Sequence, residues 1–442
     1  MNKKVYFLSL GCPRNLVDSE VLLGILEKKG FKLTDNAEKA SLGIINTCAF
    51  IDEAVEETID IILELCRLKN NSHLKKIIVC GCFVQRFGKK LIEELPEVDA
   101  FIGANEIEKI DKVVEEVFQE KRVFCCFEEK NFIYNKESPR RILTPKYTAY
   151  LKISEGCRYH CSYCIIPSLK GKYRSRSIED IVGEAENLSA AGYKEFNIIG
   201  QDTSSYGFDL YRKESLARLL RELVKIKGIE WIRLLYAHPN SFTQELIETI
   251  AFYPKICKYI DIPVQHISTK ILKAMNRNAS KKDIINLIKK LKTEIKNVCL
   301  RTTLLVGFPG EEEKDFEELL EFMKLAQFER LGIFKYSKQD GTTAASLKKQ
   351  VPEKIKNLRF DKAFKLQREI AKKINERFIG KQLKVIIDKV EKDYALGRTE
   401  FDSPEVDGLV YVYSNKKLKP GSFAIVEITD SLEYDLVGRT IK

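Results

Sequence analysis

Short apolar runs alternate with longer amphipathic stretches through the first third of the chain. "KVYFLSL" reads as a buried strand; the helix "DSEVLLGILEKKG" follows it, with Asp18 or Ser19 as cap and Gly30 as stop. The alternation continues through "SLGIIN", a helix from about Glu53 to Leu68, "KKIIVCG", a helix around Lys89–Leu95, "VDAFIG" and a helix near Ile107–Phe118. Strands and helices at this rhythm predict a parallel, doubly wound α/β domain over residues 1–127. Residues 128–146, "EEKNFIYNKESPRRILTPK", are polar, carry two prolines and read as a linker.

From Tyr147 six strand-like runs appear: "TAYLKIS", "EFNIIGQ", "WIRLLYAH", "YIDIPVQ", "VCLRTTLLVGFP" and "RLGIFKYS". Helical patterns lie between them, near 179–191, 214–227, 242–253, 281–296 and 312–327. Six β/α units over 147–377 predict an open (β/α)6 barrel with its chemistry at the carboxyl ends of the strands. A charged helix from about Glu353 to Arg377 trails it. After Gly380 the period changes to two in "LKVIID", "YALGRTE", "GLVYVYS" and "SFAIVEIT", which predicts a small antiparallel β-barrel of about five strands over 378–442.

A chain of 442 residues, 44% hydrophobic and 31% charged, fits a soluble protein of two or three domains. No apolar run approaches the ~20 residues of a membrane span, and the apolar run of "MNKKVYFLSLGCPRN" is too short for a secretory signal. The expected location is the cytoplasm, with no membrane contact. The net charge of +11 suits an anionic partner such as RNA or the ribosome; lysine scattered throughout the chain accounts for it equally well.

Twelve cysteines in a reducing compartment point to metal binding or chemistry rather than disulfides. In "SEGCRYHCSYC" Cys157, Cys161 and Cys164 stand at C-x3-C-x2-C, just past the first barrel strand. Zinc would want a fourth ligand to close its tetrahedron. Three thiolates can hold a 4Fe-4S cube and leave one iron open to a ligand from outside the protein. His160 between them is a ligand by type only. A second set lies in the first domain, where Cys12, Cys48 and Cys82 each follow a strand, 36 and 34 residues apart. That spacing brings them to the carboxyl edge of one parallel sheet, so a second three-thiolate cluster is expected. Gly11 and Gly81 beside them allow close backbone approach. Cys80 competes with Cys82 but belongs to the strand; Cys66, Cys257 and Cys299 read as core, and Cys125 and Cys126 are unassigned.

C-x3-C-x2-C at the head of such a barrel resembles the radical S-adenosylmethionine (SAM) superfamily. That resemblance implies that the open iron chelates the amino and carboxylate groups of SAM, which an electron cleaves to a 5′-deoxyadenosyl radical. Two three-cysteine sets, a barrel and a terminal TRAM-like β-barrel resemble the methylthiotransferases over essentially the whole chain. "SLGCPRNLVDSE", "IIPSLKGKYRSR", "GQDTSSYG" and "DIPVQHIS" look like the RimO type, which acts on an aspartate β-carbon of small-subunit ribosomal protein S-twelve. The resemblance implies two 4Fe-4S clusters, SAM, and an electron donor and a sulfur donor of unknown identity. It makes Gln201 and Asp202 candidates for the SAM pocket, although ordinary strand-end polarity accounts for them as well. Gly307 and Gly310 of "LVGFPGE" are weaker candidates, since a plain turn needs the same glycines. No protein acid or base is expected, because the cofactor removes the hydrogen.

Two rivals stand beside this reading. The MiaB type, which modifies tRNA adenosine, typically shows "GCQMN" and "PVQSGS". From Lys381 onward ten Lys/Arg face eleven Asp/Glu, a net of −1 that suits a protein substrate better than a polyanion. A non-catalytic iron–sulfur carrier would need neither open irons nor a SAM pocket. The basic "KGKYRSR" reads either as a contact for RNA or an acidic peptide or as a solvated face.

Overall fold

The computed structural model describes residues 3–127 and 131–441. β1 (Lys4–Ser9), β2 (Lys32–Thr34), β3 (Leu42–Thr47), β4 (Lys76–Gly81), β5 (Ala100–Gly103) and β6 (Val123–Cys125) pair in the order β2-β1-β3-β4-β5-β6, every pair parallel. The central β3 and β4 are buried along their whole length, as apolar, β-branched runs covered on both faces should be. α1 (Pro13–Lys28) and α5 (Ile110–Phe118) cover one face. α2 (Asp52–Asn71), α3 (Cys82–Phe87) and α4 (Lys90–Glu94) cover the other. The three-residue edge strands β2 and β6 are too short to leave a periodic signal.

One expectation fails here. α1 starts at Pro13, five residues before the Asp18 or Ser19 cap, and Cys12 is its N-cap in extended conformation. Proline at the first helical position lacks only an N–H that the helix would leave unpaired. Asp18 and Ser19 instead lie buried inside the helix, 3% and 0% exposed, because their polar atoms meet partners from other elements.

β7 (Thr148–Lys152) leads into a short pair, β8 (Ser154–Glu155) with β9 (Arg174–Ser175). Then β10 (Glu195–Ile199), β11 (Trp231–Leu234), β12 (Ile256–Asp261), β13 (Cys299–Val306) and β14 (Arg330–Lys335) join β7 in the order β14-β13-β12-β11-β10-β7. All pairs are parallel and the barrel is open. Its helices are α6 (Ile166–Lys170), α7 (Ile178–Ala190), α8 (Phe208–Tyr211), α9 (Leu216–Leu223), α10 (Gln244–Phe252), α11 (Thr269–Ala274), α12 (Lys281–Glu294) and α13 (Glu313–Ala326). The long α14 (Glu353–Glu376) leads to a closed antiparallel-rich barrel of β15 (Gln382–Val390), β16 (Ala395–Thr399), β17 (Val410–Tyr413), β18 (Phe423–Ser431) and β19 (Leu436–Thr440).

Buried ion pairs tie these units together. Between the first two, Pro139 and Arg140 cross Gly24 of α1, and Arg140 bridges Glu20 of α1 and Glu184 of α7 at 2.6 Å each. Glu195 of β10 lies between Arg233 of β11 and Arg398 of β16. The carboxyl edge of the first sheet and the mouth of the open barrel thereby meet.

Candidate active site

β7 and β8 deliver the chain to Gly156, where a Cβ would run into the Lys172 carbonyl; its φ of +74° also favours glycine. The loop that follows lines a cleft of about 790 Å³, its mouth included, with Cys157, Cys161 and Cys164 on one wall. Burial pushes the Cys157 thiol up to about 12 and the Cys164 thiol up to about 11. Tyr159 N–H donates to Cys157 Sγ at 3.4 Å, and Arg277 Nη1 lies 3.6 Å from Cys161 Sγ. Burial therefore keeps Cys157 and Cys164 as neutral thiols in the absence of an electropositive neighbour.

The other triad grows from adjacent strands. Cys12 follows β1, Cys48 follows β3 and Cys82 follows β4, neighbours in the sheet. Gly11 has φ +87° and a Cβ there would stand 2.8 Å from Cys48 Cβ; Gly81 has φ +99° and is pressed against Asn46 and Thr47. Burial opposes the Cys12 thiolate, but the Arg14 charge and N–H outweigh it and hold the thiol below its usual range. Burial raises Cys82 to about 12, with Lys170 offsetting part of the effect. None of these three thiols lines the cleft; Arg14 does, and its Nε donates to Cys12 Sγ at 3.4 Å.

The donor chemistry fits the expected groups. Among the described residues no three Cys, His, Asp or Glu side chains converge tightly enough for a single metal ion. Three thiolates apiece, each for its own corner, suit a cube rather than a zinc tetrahedron. In the cleft, Gln201 Oε1 and His238 Nε2 are buried with no hydrogen-bond partner, as a site built for a polar ligand would leave them.

The remaining candidates separate. Gln201 and Asp202 line the cleft. Gln201 Nε2 donates to Glu155, and the Asp202 carboxylate accepts from Ser204, Ser205 and the His238 N–H. Gly307 and Gly310 are not in the lining: Gly307 packs on Lys356 and donates its N–H to Glu311, in an ordinary turn. His160 is exposed and turned out of the cleft lining. Cys80 is fully buried in the sheet, donating to the Ile45 carbonyl, and Cys66, Cys257 and Cys299 are core. Asp261 and His266 are framework: Asp261 takes Arg301 at 2.9 Å and the Tyr236 N–H, and His266 accepts from Ser268 N–H.

The basic side chains of "KGKYRSR" are mostly committed to internal partners, and Lys172 alone among them is exposed. Lys170 is buried on Asp18, Arg174 donates to backbone carbonyls, and Arg176 is buried on Asp180 and Glu184. Asp18, far away in the chain, neutralises Lys170, which the stretch itself could not reveal, whereas Arg176 takes its acids from the helix that follows. Sequence reasoning also missed Arg14, Tyr236, His238 and Arg277 on the cleft wall. His238 stacks on Tyr159 with ring centroids 3.6 Å apart, and burial lowers its imidazole to about 2, so it stays neutral.

Comparison with known proteins matches three family profiles: the Radical SAM superfamily over residues 151–323, the uncharacterized protein family UPF0004 over 4–103, and the TRAM domain over 379–441. The ribosomal protein uS12 methylthiotransferase RimO of Clostridioides difficile strain 630 is 46% identical over 436 residues, covering 98% of each chain. That of Geobacter sulfurreducens is 45% identical over 442 residues, covering 99% of each. Among solved structures, the radical SAM methyltransferase TsrM of Kitasatospora setae superposes with a TM-score of 0.58 at 16% identity, over 78% of this chain and 74% of its own. At that identity the likeness concerns the fold.

Proposed function

The chain belongs to the RimO family of radical SAM methylthiotransferases, and from that membership we propose that it methylthiolates the β-carbon of an aspartate in ribosomal protein uS12 with two 4Fe-4S clusters. The family supplies one such cluster and SAM; the second cluster, on Cys12, Cys48 and Cys82, is our reading. Cys157, Cys161 and Cys164 would hold the first, with Gln201 and Asp202 beside SAM. When bound, these groups generate a carbon radical from SAM and hold the sulfur to be transferred.

The observation that carries the reading is Arg14, which joins Cys12 to the cleft that holds the other triad. A substrate carbon entering that cleft lies between two thiol sets on opposite domains. The chain itself would orient the substrate and exclude water: Tyr159, His238 and Tyr236 wall the cleft, and Phe50, 42% exposed, projects into it from the loop after Cys48. The same reading divides the chain at 1–127, 128–146, 147–377 and 378–442, with the three matched profiles falling inside the first, third and fourth spans. It places the enzyme in the cytoplasm, where reduced thiols and ribosomes occur together, with an electron donor and a sulfur donor as further partners.

The near-neutral C-terminal barrel favours a protein over tRNA, since a polyanion needs a basic face. Reduced, anaerobically reconstituted enzyme should be incubated with SAM and either uS12 or total tRNA. Mass spectrometry is expected to find the methylthio group on the uS12 aspartate. Methylthioadenosine in the tRNA digest, with unmodified uS12, would overturn the substrate and leave the chemistry standing.

A further inference from the structure

We propose that Arg14 binds the side-chain carboxylate of the substrate aspartate, and so fixes the β-carbon between the two thiol sets. This rests on the substrate reading above.

Most arginines with buried side chains have acidic partners, Arg277 being an exception, and Arg14 itself is half-buried. Arg140, Arg176, Arg233, Arg330, Arg359 and Arg398 each meet an Asp or Glu at 3.1 Å or less. Arg14 makes no ion pair with any described carboxylate; its guanidinium meets Cys12 Sγ, the Gly200 carbonyl and the Tyr236 ring. The one acid in the cleft lining, Asp202, is already engaged by Ser204, Ser205 and the His238 N–H. Beyond the Cys12 sulfur that Nε reaches, the guanidinium has no anionic partner within hydrogen-bond range, and a ligand carboxylate would supply one.

The guanidinium is also aimed. Nε donates to Cys12 Sγ at 3.4 Å and Nη1 to the Gly200 carbonyl at 3.2 Å, while the group lies 4.6 Å from the Tyr236 ring centroid. Nη2 makes no hydrogen bond among the described residues, which leaves part of the planar fork open on the cleft side. Such a fork matches a carboxylate in two-point fashion. The other cleft cation, Arg277, spends its donors on Pro263, Tyr163 and Cys161, beside one triad only. In an aspartate the carboxylate is bonded directly to the β-carbon. Holding it leaves that carbon little freedom, and misplacement of about 1 Å costs roughly a hundredfold in rate.

The test compares binding of two peptides copying the uS12 loop, one with the target aspartate and one with asparagine there. Holoenzyme with SAM is used, as wild type, Arg14→Met and Arg14→Lys, with iron content measured on each. Wild type is expected to prefer the aspartate peptide by on the order of a hundredfold. Arg14→Met should bring the ratio near one, and Arg14→Lys should keep part of it. An unchanged ratio in Arg14→Met overturns the proposal. Lost iron with the ratio intact would mean that Arg14 only supports Cys12; weaker SAM binding with the ratio intact would give it to the SAM carboxylate. Either result sinks the inference. Wild type that methylthiolates neither peptide nor whole uS12 removes the substrate reading, and this inference with it.

Discussion

Lys170 donates from its Nζ to Asp18 Oδ2 at 3.0 Å, and both side chains are buried. Lys170 ends the short helix that begins two residues after Cys164, and Asp18 lies on the helix that Cys12 caps. Asp18 also accepts from Lys152, which in turn holds Glu155 at 2.8 Å. This network therefore sets the position of one cysteine loop against the other.

Asp18→Asn would leave two buried lysines to share the Glu155 carboxylate. Removing one member of a buried ion network costs about 3–5 kcal/mol. The variant is expected to unfold at lower denaturant concentration and to expose the domain junction to limited proteolysis. A midpoint equal to wild type would mean that water enters and solvates the lysines, and that the network does not hold the junction.

The two triads predict separable losses. Replacing Cys157, Cys161 and Cys164 by Ala should remove half the iron of the reconstituted protein and abolish SAM cleavage to 5′-deoxyadenosine. Replacing Cys12, Cys48 and Cys82 should also remove half, yet reductive SAM cleavage should continue while methylthio transfer stops. Full methylthiolation by the second variant would make those cysteines structural.

The pattern of the sequence carried the architecture because long parallel strands and helices leave strong periods: all six barrel strands and the long helix after them were legible. That Cys12, Cys48 and Cys82 fall at the ends of neighbouring strands was legible through spacing, since adjacent β/α units place their strand ends on one edge. What could not be read were groups defined by partners far away in the chain. Asp18 looked like a helix cap until Lys152 and Lys170 were seen around it, and "KGKYRSR" looked like a surface. Arg14, beside Pro13 in the first turn of α1, carries no periodic signal at all; only the cleft shows what it faces. Gly307 and Gly310 had the same sequence cue as a cofactor loop and a plain turn; Gly307 packs on Lys356, and neither glycine lines the cleft.

Glu195 makes a pH prediction. It is fully buried and takes Arg398 through both oxygens, at 2.9 and 2.8 Å, and Arg233 at 3.1 Å. Burial raises its carboxyl, but the two guanidinium groups outweigh this and lower it from 4.5 to about 2. A depressed folded value means stability present above pH 4.5 and lost as pH falls towards 2. The loss is roughly 3 kcal/mol, because each tenfold change in proton affinity corresponds to about 1.4 kcal/mol. Glu195→Gln should be markedly less stable at neutral pH, and the gap to wild type should narrow as both are acidified through that window. A constant gap in equilibrium unfolding would rule out this carboxylate as the source.

Gly24 sets two effects of opposite sign against each other. It lies inside a regular helix, where alanine is favoured by ~1 kcal/mol, so Gly24→Ala would ordinarily stabilise. Here the new Cβ would stand 2.5 Å from the Pro139 carbonyl carbon and oxygen and 2.6 Å from Arg140 N. These are backbone atoms, which cannot swing aside as a side chain can. The crossing segment would have to lift, and Arg140 would then leave Glu20 and Glu184, both buried and both at 2.6 Å. Overpacking of this kind costs about 1–3 kcal/mol, and buried Glu20 losing its cation adds to it, while Glu184 keeps Arg176, so the steric effect wins. Gly24→Ala is expected to lower the unfolding midpoint, with Arg140→Met giving a loss in the same direction and the double variant less than the sum of the two. If Gly24→Ala instead raises the midpoint by an amount matching helix propensity, the segment moves freely on the helix and the Arg140 bridge does not define the junction.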